Sequence, residues 1–246
     1  MAWTNIRKAI VAGAVAVVLV NIGIMVVFLL RRDPEQDALE RGRRAITKHL
    51  ATPFDLASYY TTPASAFDNI RSFSAWSAVP RGFHTFANVP LQIDGMMCLW
   101  GDRNAKMGAV FPEQFTGIEI HRKFETLYLY HASFFAAPKG TPVAELVFRY
   151  ADDSSATNQI RYGRDVLDWW ADPGKNPVGP SAPRSKLAWH GEYTAPGKTQ
   201  ALRFCLTAIE NLNPSLEVTS IDLYSSKSSA AECILAMTTG KSGLMK

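Results

Sequence analysis

Tyr162, Arg164, Asp165, Asp168, Trp169 and Trp170 fall within nine consecutive residues. Flat aromatic faces beside charged groups are what a sugar-binding surface needs. The rings take the C–H face of a pyranose, and the charged groups make paired hydrogen bonds to its hydroxyls. Trp189 and the pair Glu210-Asn211 lie near the ends of strand-like runs. The candidate ligand-binding set is therefore Tyr162, Arg164, Asp168, Trp169, Trp170, Trp189, Glu210 and Asn211. The same residues support a plainer role. Adjacent tryptophans often make one buried anchor and one partly exposed lid. Asp165 and Asp168 would then cap a short turn, satisfied by Arg161 or Arg164.

Other chemistries find less support. The five histidines, His49, His84, His121, His131 and His190, share no short ligand spacing. His131 alternates with Leu127 and Leu129, so a hydrogen-bonded, half-buried role is expected for it. No cofactor is expected, and the adjacent acids Asp152-Asp153 suit a solvated turn. Glycoside hydrolysis needs two carboxylates about 5–10 Å apart, and nothing in the sequence brings Glu210 to Asp168. There is no G-x-S-x-G elbow, glycine-rich phosphate loop or cysteine–histidine nucleophile. A non-catalytic protein is expected. Arg122, Arg149, Arg161 and Arg203 sit in alternating runs, where pairing across strands with Glu119, Glu145, Glu217 or Asp222 is expected. Cys98, Cys205 and Cys233 also lie in strand-like runs, either as small buried residues or with one disulfide and an odd thiol.

The elements that must position these residues are short strands. Val89-Leu91-Ile93, Leu127-Leu129-His131, Ala144-Leu146-Phe148-Tyr150 and Leu202-Phe204-Leu206-Ala208 alternate. Tyr128 and Tyr130 face the other way, Ile221 and Leu223 continue the pattern, and Ile234 to Met237 closes it. Turn signals separate the runs: Pro138-Lys139-Gly140, Asp152 to Ser155, Asp172-Pro173-Gly174, Ala195-Pro196-Gly197 and Asn213-Pro214. Such punctuation predicts a mainly β, antiparallel sandwich over residues 53–246, with a long surface loop from Asp172 to Lys186.

The N-terminal fifth differs. Ala9 to Leu30 carries no charge and one strongly polar residue, Asn21, and is flanked by Arg7, Lys8, Arg31 and Arg32. At 1.5 Å per residue this run matches the roughly 30 Å hydrocarbon core of a bilayer. Its small residues lie inside the run rather than at a following cleavage site, which favours an uncleaved transmembrane helix over a signal peptide. Residues 1–8 form a short tail. Residues 31–52 form a helical spacer, starting at Asp33-Pro34-Glu35 and closed by Thr52-Pro53. Its thin apolar stripe, Leu39, Ile46 and Leu50, suits a solvated arm more than a dimerising one. The chain's net charge of +4 lies wholly in residues 1–50, so it marks membrane flanks and not a nucleic-acid partner. Arginines after the apolar run, counted literally, favour a cytoplasmic C-terminal domain.

Several segments carry a family likeness: Ile118 to Ala132, Val147 to Asp152, Ile160 to Asp165 with Asp168-Trp169-Trp170, Ala188 to Gly191, Glu210 to Pro214, and Glu217 to Asp222. Together with Pro80 to Phe83 and Val89 to Ile93, they resemble the galactose-binding-like jelly-roll domains of bacterial envelope proteins. The likeness covers roughly residues 53–240 and is most specific from Tyr150 to Trp170. Leu91 and Phe148 depart from it, standing where such modules often carry an aromatic residue and a histidine. The resemblance implies a jelly-roll sandwich on a single-pass inner-membrane anchor, facing the periplasm. It implies binding of a carbohydrate or another envelope component without transforming it, and it allows a structural calcium ion, for which Asp152-Asp153 would be the candidate acids. A protein-interaction scaffold and a cytoplasmic sensory domain are the alternatives.

Overall fold

The computed structural model describes residues 34–69, 74–172, 178–195 and 198–245. The chain divides into two compact units, Met1–Glu40 and Arg41–Lys246. Of the first, only the opening of helix α1 (Pro34–Thr47) is described. Glu35 and Asp37 sit in its first turn and Arg44 in its last, as the helix dipole favours. The expected tail 1–8 and transmembrane helix 9–30 lie outside the described residues. Among the described residues no helix is long and apolar enough to cross a membrane.

The second unit is mainly β and antiparallel. In its larger sheet, β12 (Lys198–Glu210) pairs on one side with β11 (Ser185–Ala195) and on the other with β7 (Thr126–Phe134). β7 pairs in turn with β14 (Ala231–Gly240), whose far edge takes β5 (Gly95–Cys98) and β1 (Ala51–Pro53). β2 (Thr62–Pro63) adds to β5. The smaller sheet runs β6 (Gln114–Arg122), β13 (Val218–Ser225), β8 (Pro142–Tyr150), β9 (Ser155–Arg161).

The predicted alternation is what joins the two sheets. Leu127 and Leu129 of β7, Ile209 of β12 and Met237 of β14 meet Ile118 of β6, Leu146 and Phe148 of β8 and Ile221 of β13 in one buried cluster. Tyr128 and Tyr130 face away from this cluster, yet all nine residues of β7 are buried. A covering layer explains this. The hairpin of β3 (Gly82–Phe86) and β4 (Val89–Ile93), with the 3₁₀ turns around Phe67 and Trp76, lies over Tyr128, Tyr130, Phe134 and Phe204. Ala87 and Asn88 at the hairpin tip both have positive φ, 47° and 67°, the geometry that matches a two-residue turn to the strand twist. Tyr130 is fully buried in this layer and its hydroxyl has no hydrogen-bond partner. Tyr130→Phe is expected to stabilise the fold by about 1 kcal/mol in urea denaturation, because it removes a desolvated polar atom.

The spacer is not solvated throughout. Gly42 of α1 lies so close to Thr85 of β3 that a Cβ would sit 2.0 Å from its Oγ1. Arg41 donates from Nε to Asn88 Oδ1 at 2.9 Å. The folded unit therefore begins before Pro53, within the second half of α1.

Candidate functional site

β12 outruns β7 at one end, and the strip beyond is filled by the segment around Trp169. Ser133 N donates to Leu167 O, and Trp169 N to Ser133 O. β10 (Trp170–Ala171) then pairs with Leu202 and Ala201 of β12. Arg203 locks the segment from the same strand: its backbone N donates to Trp169 O, and its Nε to Asp168 O at 2.8 Å. Trp169 is 1% exposed and stacks on Trp76 with centroids 4.8 Å apart. Trp170 is half-buried, its ring centroid 4.3 Å from that of Trp169.

A short helix, α2 (Asp102–Lys106), closes the other wall. Gly101 allows it to come this near, since a Cβ there would lie 2.6 Å from that of Ala231. Between the walls is a cleft of about 450 Å³ lined by Asn104, Met107, Phe134, Phe135, Trp169 and Trp170. That is within the size range of small-ligand sites. The walls are mostly aromatic, and Arg103 lies over the Phe135 ring at 5.5 Å. Asn104 is 4% exposed, and its Oδ1 is buried without a partner. A buried acceptor left unpaired costs free energy.

Asp168 adjoins this cleft. Burial pushes its carboxyl up to about 6, opposed by the N–H of Trp170, by Arg203, by the N–H of Phe135 and by Arg103. Ionising it therefore works against folding. Its contribution is most favourable below about pH 4, declines as pH rises through about 6, and stays low above that. Asp168→Asn is expected to remove this decline. Discounted for partial exposure, the variant should be more stable than the parent at pH 7 by about 1–2 kcal/mol. The difference between their urea midpoints should vanish near pH 4.

The other candidate residues are placed apart from this cleft. Tyr162 is in the core between the sheets with its hydroxyl against the backbone of Asp168, and Arg164 is exposed in a turn. Trp189 lies on β11, half-buried against Phe204 at 5.7 Å, its ring over Gly191 where a Cβ would lie 2.5 Å away. It connects to the tryptophan pair through Phe204 and Trp76. Glu210 is exposed at the far end of β12, eight residues from Leu202, or about 26 Å along the strand. Asn211 is 2% exposed and engaged within the fold: Oδ1 accepts from Tyr150 Oη and Asn213 N, and Nδ2 donates to Phe124 O. Asp168, Trp169 and Trp170 come together at the cleft, and Tyr162 meets Asp168 from the core side. The sequence did not single out Asn104, Phe134 or Phe135; the Phe134-Phe135 doublet ending the β7 run was the visible signal for the last two.

Asp165 is held by the N–H of Arg161 and by Nε of Arg184, not by the side chain of Arg161 or Arg164. Of the four strand arginines, Arg149 pairs with Asp222 at 2.8 Å as expected. Arg161 and Arg203 donate to carbonyls instead. His131 is fully buried, not half-buried. Thr207 donates its proton to Asp165 O, so His131 Nε2 must donate to Thr207 Oγ1, leaving Nδ1 against the Glu232 carboxyl. Asp152 forms a local turn with the N–H and hydroxyl of Ser154. Among the described residues no group of three or more His, Cys, Asp or Glu is arranged to hold a metal ion.

No family model matches this chain, and no curated protein is detectably similar to it in sequence.

Proposed function

We propose that this chain is a membrane-anchored, non-catalytic binding module of the galactose-binding-like jelly-roll type. Its ligand is a carbohydrate or another cell-envelope component, taken in the cleft between α2 and Trp169-Trp170. The observation that carries the proposal is an aromatic cleft of small-ligand size onto which the half-buried Trp170 opens. Such a site suits a ligand with one flat apolar face. Asp168 is the carboxylate beside the cleft, and Glu210 lies about 26 Å along β12 from β10. That spacing favours binding over a two-carboxylate hydrolysis.

A disulfide between Cys98 and Cys233 favours an oxidising compartment. It weighs against a cytoplasmic sensory domain, which the arginines after residue 30 would otherwise favour. The outer face of the larger sheet is covered by the chain's own residues, so a broad apolar docking face is not what recommends a scaffold role. One observation does keep a partner protein in view: Met107 and Val110, 74% and 96% exposed, stand at or near the rim of the cleft. An apolar peptide segment would fit such a rim.

The test is a saccharide-array screen of the full chain in an uncharged detergent, followed by tryptophan-fluorescence titration. The expected result is saturable binding of an envelope saccharide, weakened about tenfold or more in Trp170→Ala. Absence of any saccharide binding, or equal binding by the variant, would reject the carbohydrate reading.

A further inference from the structure

At the opposite end of β7 from the aromatic cleft, about 30 Å along the strand, lies a second cavity of about 370 Å³. It is bounded by the β6–β7 connection, the end of β14 and the chain entering β1. Arg122, Lys123, Glu125, Thr239 and Lys241 line it, with His49 at its edge.

Arg122 is the anomaly. Its guanidinium is half-buried over the Phe54 ring, 5.1 Å from the centroid. Its polar contacts are two long ones, Nη1 to Thr239 Oγ1 and Nε to Ile120 O, both 3.4 Å. Among the described residues no carboxylate lies within ion-pairing distance of it. Burial lowers its pKa, with no acid opposing the effect. Other arginines beside these sheets are served: Arg149 has Asp222 and Arg184 has Asp165.

The acids near Arg122 are committed elsewhere. Glu217 is next to Val218, the residue paired with Arg122 across the sheet, yet it reaches His121 at 3.5 Å. Glu125 takes Lys241 Nζ at 2.7 Å on Oε1, and the N–H and hydroxyl of Ser242 on Oε2. Those contacts hold its carboxyl down at about 2. Arg122 and Lys123 therefore face one carboxylate, Glu125, that Lys241 and Ser242 already engage. A partly desolvated cation without a counter-charge is costly. A bound anion would remove that cost.

We propose that this cavity binds a phosphate-type oxyanion, with Arg122 as its principal ligand and Lys123 as a second. The guanidinium fork matches two phosphate oxygens, and Lys123 supplies a point charge. The Thr239 hydroxyl stands beside the same guanidinium. This chemistry has two sources: the headgroup of an anionic phospholipid or a soluble phosphate. The site is independent of the aromatic cleft, so failure of either proposal leaves the other standing.

The experiment uses the full chain in an uncharged detergent, titrated with inorganic phosphate against sodium chloride at equal ionic strength. Thermal unfolding and calorimetry are the readouts. Phosphate should raise the unfolding temperature saturably, beyond the effect of chloride. Arg122→Gln should weaken phosphate at least tenfold, and Arg122→Lys should restore part of it. Lys123→Gln, at an exposed position where folding is not at stake, should weaken it several-fold. The source is then separated in nanodiscs of pure phosphatidylglycerol or pure phosphatidylcholine. Weaker phosphate binding in phosphatidylglycerol alone assigns the site to lipid headgroups, and equal binding in both assigns it to soluble phosphate. No phosphate effect beyond chloride, or unchanged affinity in both Arg122→Gln and Lys123→Gln, overturns the proposal.

Discussion

Trp169→Ala is expected to destabilise the protein by about 3–5 kcal/mol, the range for removing a large aromatic side chain from a packed core. The neighbouring Trp170→Ala should cost far less stability while removing ligand binding. The contrast follows from where the two rings lie. Trp169 is 1% exposed, stacked on Trp76 and edge-on to Phe134 at 5.7 Å. Truncating it leaves a hole beneath the 3₁₀ turn that carries Trp76. Trp170 reaches solvent through the cleft, so its loss opens no sealed cavity. Urea denaturation of both variants, beside a fluorescence titration, separates the roles. Equal destabilisation by the two substitutions would show that Trp170 is also a core residue. The binding proposal would then lose the ring it depends on.

Trp169 and Trp170 illustrate how much of the site was legible in the sequence. Their adjacency announced an anchor and a lid, because neighbouring residues on a strand point to opposite faces. Which ring was buried depended on Trp76, ninety-three positions earlier. No local pattern links residues so far apart. The strands themselves were legible. The alternations at Leu127-Leu129-His131 and at Leu146-Phe148 fall on β7 and β8, with those side chains turned into the shared core or the buried polar chain beside it.

The covering layer was not legible. Val89, Leu91 and Ile93 signal a strand, but their pattern is the same whether the hairpin packs in the sandwich or over its outer face. Asn104 was invisible for a related reason. An asparagine in a short polar stretch signals a turn, and its burial arises only because Gly101 lets α2 press against β14. Composition could not reveal the state of Arg122 either. Its lack of a carboxylate follows from Glu125 and Glu217 having been taken by Lys241, Ser242 and His121.

The second large effect concerns Cys98 and Cys233. They stand opposite each other where β5 meets β14, their Cα atoms 4.2 Å apart. The neighbouring pair carries the hydrogen bond from Leu99 N to Glu232 O, so the cysteines occupy the non-hydrogen-bonded position where side chains come closest. The bond closes a sequence separation of 135 residues, for which chain entropy gives a stabilisation of about 5 kcal/mol. β5 pairs with β14 over two residues only, so the covalent link matters more here than it would beside a long ladder. The double variant Cys98→Ser, Cys233→Ser is expected to lose about 2–5 kcal/mol in urea denaturation. Cys205, fully buried and with its thiol pushed up to about 12 by burial, is the remaining free thiol. Protein trapped in acid from growing cells, then denatured and labelled with a maleimide-linked polymer, should take one label without reductant and three with it. Three labels without reductant would mean that the bond does not form where the protein resides. The domain would then belong on the reducing side of the membrane, the orientation favoured by the arginines that follow the apolar run.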